Sequence, residues 1–69
     1  MKLTPIIDIE VPYFQSGRYG GVITLERGID VPITILSRRD GMIEAVLEDE
    51  EDKIEVRQVP VSRIQLRES

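Results

Sequence analysis

The chain has 69 residues, a formal net charge of −4, and neither cysteine nor histidine. That excludes disulfides and thiolate zinc sites and removes the commonest general base and metal ligand. So short a chain buries only a modest core, and oligomerisation is the support left open. No cofactor is expected, and no metal site. The absence of cysteine fits a reducing cytoplasm, the expected location. No apolar run approaches the ~20 residues of a membrane span, and "MKLTPIIDIE" acquires carboxylates too early for a secretory signal. Net acidity argues against bulk binding to nucleic acid. Yet seven of the nine cations are arginine, the residue suited to bidentate and stacked contacts.

Ten isoleucines and seven valines against one alanine make a strand composition. The expectation is a single all-β domain over residues 1–69, a small barrel of five to six antiparallel strands. The strands are read at Ile6–Val11, Gly21–Leu25, Val31–Arg38, Met42–Glu48, Lys53–Val59 and Ile64–Leu66.

Between the first two lies "YFQSGRYGG", read as a long loop. It places Tyr13, Phe14 and Tyr19 beside Arg18, the residue types that partner-binding sites favour. These four are the candidate partner-binding residues, although Phe14 or Tyr13 could instead plug the core. The glycines of "SGRYGGVITLERG" precede a β-branched strand rather than a helix, so they do not form a phosphate cradle. Gly17 is read as a loop tip, Gly20 and Gly21 as a bulge or close approach, and Gly28 as a turn.

Register follows from the rule that directly opposed residues share a face. A two-residue Asp40-Gly41 turn sets Ile33 against Glu48 and mixes the faces. A three-residue loop, Arg39-Asp40-Gly41, instead puts Ile33 opposite Leu47, Ile35 opposite Ala45 and Ser37 opposite Ile43. A four-residue loop at 49–52 sets Leu47 against Ile54, Ala45 against Val56, Glu48 against Lys53 and Glu44 against Arg57. A Glu26–Asp30 loop pairs Leu25 with Val31 and Ile23 with Ile33. These three hairpins give one continuous apolar face. Pro32 lies near the start of its strand and Pro60 at the end of another, where a missing donor costs least. The last strand is expected to pair with Ile6–Val11 and close the barrel.

A long first loop, a three-stranded meander, then "VPVSRI" before a final short strand resembles an SH3-like small barrel of the Tudor and KOW kind. Gly17, Gly21 and Val22 in "SGRYGGV" resemble the segment that opens the second strand of KOW domains. The Tudor likeness implies an aromatic cage, for which Tyr13, Phe14 and Tyr19 are the aromatics present.

Catalysis has little material, and no catalytic residue is assigned. Asp8 and Glu10 share a face, read as the solvent face. The acidic run Glu48–Asp52 lacks the central glycine and length of a calcium loop and reads as a solvated tip. The register also turns Leu36, Met42, Val46 and Val59 outward together, an apolar row that suits self-association. The expected function is a non-enzymatic module that self-associates and docks a protein partner. The alternative is a KOW-like module contacting nucleic acid through Arg18, Arg38, Arg39 and Arg63.

Overall fold

A computed structural model describes residues 1–48, 51 and 53–68. Seven strands run in the order β1 (Lys2–Pro5), β2 (Ile9–Gln15), β3 (Arg18–Leu25), β4 (Val31–Arg39), β5 (Met42–Leu47), β6 (Ile54–Pro60) and β7 (Ile64–Arg67). One 3-10 turn, Val61–Arg63, links the last two, and the described residues contain no α-helix. The strands form one antiparallel sheet in the spatial order β3-β2-β6-β5-β4-β1-β7. All-β character is as expected. The count of five to six strands is corrected to seven, and the sheet is not closed: β3 and β7 are its edges.

Every strand contributes to one core. Leu3, Val11, Leu25, Ile33, Ile43, Val59 and Ile64, one from each strand, are all buried in the same cluster. A single sheet that shares one core must curl around it. Two bulges do this. Leu36 on β4 is the extra residue between the Ile35–Ala45 and Ser37–Glu44 pairs. On β6, Arg57 and Gln58 together oppose Glu44, between the Ala45–Val56 and Ile43–Val59 pairs. Both bulges lie level with Glu44, so the three strands bend along one line.

Far from the turn, the β4–β5 register agrees with expectation: Ile33 opposes Leu47 and Ile35 opposes Ala45. Near the turn it does not. Arg39 pairs with Met42, so the turn is the two residues Asp40-Gly41, at φ 53° and 74°. Two positive φ values match the twist of a two-residue hairpin. The bulge at Leu36 supplies the offset that a third loop residue was expected to supply, and Ser37 opposes Glu44 instead of Ile43. In the β5–β6 pair, Leu47–Ile54 and Ala45–Val56 form as expected. The 49–52 loop itself lies mostly outside the described residues.

The expected Glu26–Asp30 hairpin is corrected. β3 pairs with β2 alone, whereas β4 lies between β5 and β1. Gly28, at φ +78°, donates its N–H to the Pro5 carbonyl, and Leu3 pairs with Val31. The first strand therefore occupies the edge of β4 that β3 was expected to take. Leu25 and Ile33 still face the core, at 3% and 2% exposure.

The first expected strand, Ile6–Val11, is corrected to a bend followed by the start of β2, and β1 lies before it, where no strand was expected. Ile6–Asp8 is a bend with Ile6 and Ile7 exposed. The Ile6 N–H reaches the Arg63 carbonyl, and the Asp8 carboxylate accepts the Arg27 N–H. Consequently β7 pairs with Lys2–Pro5 rather than with Ile6–Val11, and no barrel closes through it.

Candidate interaction surfaces

The stretch read as a long first loop is a hairpin. β2 and β3 pair from Ile9–Leu25 to Gln15–Arg18, leaving only Ser16 and Gly17 as the turn, at φ 52° and 77°. A bulge at Gly20 lies between the Tyr13–Gly21 and Phe14–Tyr19 pairs. The Tyr13 ring packs against the core and lies over Gly20, where any Cβ would run into it. Tyr13 is thus half-buried on the inner side, while Phe14 and Tyr19 belong to the outer one.

Strand pairing arranges the outer face in a row. Tyr19 opposes Phe14, Phe14 opposes Glu55, Glu55 opposes Val46, and Val46 opposes Thr34. The Phe14 and Tyr19 rings meet edge-to-face, with centroids 5.7 Å apart. The Arg57 guanidinium lies 3.8 Å from the Phe14 centroid and donates from Nε to Glu55 at 2.8 Å. The carboxylate fixes the guanidinium, and the ring supplies its apolar bed. Arg57 and Glu55 were not singled out from sequence. The expected Glu44–Arg57 pairing hid them: Arg57 shares the face of Glu55, two residues before it, which opposes Phe14, so Arg57 is the diagonal neighbour of that ring. Phe14 is half-buried in this outer stack rather than plugging the core.

The expected self-association row does not assemble. Leu36 and Met42 are exposed, and Val46 is half-buried in the row just described, but Val59 is 0% exposed. The reason is again the β6 bulge. Gln58 takes φ +59°, which shifts the strand by one residue and turns Val59 inward.

The four arginines named for nucleic acid fall at two ends of the molecule. Arg38 and Arg39 approach the Asp40-Gly41 turn, and Arg63 ends the 3-10 turn whose Val61 N–H bonds to the Gly41 carbonyl. Arg18 pairs with Gln15, which opposes Ile54 and so stands at the Leu47 end of β5. Asp8 and Glu10 are both exposed.

A second feature is the gap left by the open sheet. On the free side of β3, between it and the start of β4, lies an apolar cleft of about 280 Å³. Ile23, Leu25, Ile29, Val31 and Leu47 line it, with Thr24 and Glu26 at the rim. Toward the β7 edge, side chains tie neighbouring strands together. Arg67 donates to Asp30 at 2.8 Å and to Thr4 at 3.2 Å, and the Thr4 hydroxyl donates to Asp30 at 2.5 Å. The Thr4 hydrogen bond, with the nearby Arg67 charge, holds the Asp30 carboxyl below the usual carboxylate range. Among the described residues no group of three or more acidic side chains is placed to hold a metal ion.

Comparison with protein-family models, with curated proteins and with solved structures finds no match to this chain.

Proposed function

We propose that the chain is a non-enzymatic interaction module that docks a protein partner through Phe14, Tyr19 and Arg57, with Arg18 at the hairpin end, and that self-associates. The observation that carries this reading is the Arg57–Phe14–Tyr19 stack on the outer face. Aromatic and arginine side chains dominate the energetics of protein interfaces, and here they are held in place before any partner arrives. The residue set favours binding over chemistry, because the chain has no histidine or cysteine to act as nucleophile or base.

The proposal includes an SH3-like layout. Its support is the β4–β5–β6 meander, the 3-10 turn that follows, and a short last strand returning to the first. The hairpin β2–β3 then stands where the long first loop was expected. Affinity capture from the native host tests the docking. Arg18→Ala and Tyr19→Ala, both at exposed positions, should lose a protein that the wild type retains and leave the melting temperature nearly unchanged. A captured set identical for wild type and variants removes this patch as the docking site.

A further inference from the structure

We propose that β3 pairs edge to edge with the β3 of a second copy of this chain, antiparallel and about a two-fold axis near Val22. The inference rests on the self-associating reading above and gives it a surface. Four observations point the same way.

The first is backbone chemistry. β3 is eight residues long and its outer side has no strand partner among the described residues. The N–H and C=O groups on that side match an extended strand, and an identical strand satisfies both copies at once. The second is the sequence of the edge. From Tyr19 to Leu25 it carries no proline and no charge, the residues by which edge strands are usually kept apart. Only the Gly20 bulge blunts it.

The third is what lies alongside. Tyr19, Val22 and Ile29 are 63%, 57% and 54% exposed, and the apolar cleft opens on this same free side. A neighbouring strand along its mouth covers the half-buried Ile23. The fourth is charge. β3 begins at Arg18, and Glu26 follows its last residue. An antiparallel two-fold brings the Arg18 end of each copy to the Glu26 end of the other, so the favourable approach occurs twice.

The other edge does not compete. β7 has four residues, is flanked by Arg63 and Glu68, and its Arg67 is tied to Asp30. Pairing of β3 with β3 closes on itself, whereas β3 with β7 would propagate into a filament.

Sedimentation equilibrium of the full chain, from micromolar to hundreds of micromolar, tests this. The expected result is a monomer–dimer equilibrium ending at twice the chain mass. Val22→Lys sets two like charges at the axis and should weaken the dimer by about 100-fold, whereas Val46→Glu on the outer face should leave it intact. Thr24→Lys, at another exposed position of the same edge, repeats the test should Val22→Lys fail to fold. A wild-type chain that stays monomeric throughout removes the self-associating reading together with this inference. A dimer that survives the β3 variants overturns the edge assignment alone, and dispersal by Val46→Glu then moves the interface to the outer face. A mass that climbs past the dimer contradicts the two-fold.

Discussion

At one edge of the sheet β7 offers four residues, bound along its whole length to β1 and pinned by the Asp30–Thr4–Arg67 cluster. At the other, β3 offers eight residues, likewise paired on one side only, above an apolar cleft. The first edge joins the two ends of the described chain, and the side chains beneath it, Leu3 and Ile64, are buried. The second exposes Tyr19 and Val22. This domain, which has no cysteine, adds side-chain bonds to the pairing of β1 and β7. It leaves open the strand whose backbone can be completed from outside.

The largest effect that sharpens this contrast comes from truncating one apolar residue near each edge. Leu3→Ala should cost about 2–5 kcal/mol, because the side chain is fully buried and its removal leaves a cavity. Val22→Ala, measured at a concentration where the chain is monomeric, should stay within about 0.5 kcal/mol. Urea denaturation of both variants reads the difference, and equal losses would break the comparison.

Gly20→Ala comes next. Its new methyl meets the Tyr13 ring, which is packed against the core, so a loss of about 1–3 kcal/mol is expected from overpacking. Thermal melts that match the wild type would mean the ring swings away without cost. Smallest is Asp30→Asn at the clasped edge. The folded-state pKa of Asp30 lies below its unfolded value. Its contribution is therefore present above the unfolded pKa and lost as pH falls through the folded one. The wild-type Tm should drop on acidification below about pH 4 more steeply than that of Asp30→Asn. Parallel curves would leave the clasp without a stabilising role.

Pairing away from bulges was legible in the sequence. Ile33–Leu47, Ile35–Ala45, Leu47–Ile54 and Ala45–Val56 all follow from alternation and from the positions of the turn residues. What escaped is what single residues decide. Nothing in "ITILSRRDGMI" announces that Leu36 is the extra residue, because a bulge plus a two-residue turn and a three-residue loop give the same distant register. Gln58 in a left-handed conformation is likewise invisible to a rule that assumes strict alternation, and Val59 was turned outward for that reason. The β3–β4 hairpin failed differently. Leu25 and Ile33 were correctly placed on one buried face, but facing the core does not specify a neighbour, and β1 claimed the edge of β4. The aromatic candidates Phe14 and Tyr19 do come together on one face, while the arginine that joins them, Arg57, was read as the partner of a carboxylate on the next strand.

The central claim is that β3 is the partner-taking edge and that β7, short and tied by Arg67, is not. Amide hydrogen exchange, followed residue by residue at low and high protein concentration, tests it most directly. The account predicts that amides on the free side of Tyr19–Leu25 exchange fast in dilute solution and slow markedly on concentration, while those of Ile64–Arg67 do not change. Exchange in β3 that is independent of concentration, or slowing confined to β7, would contradict it.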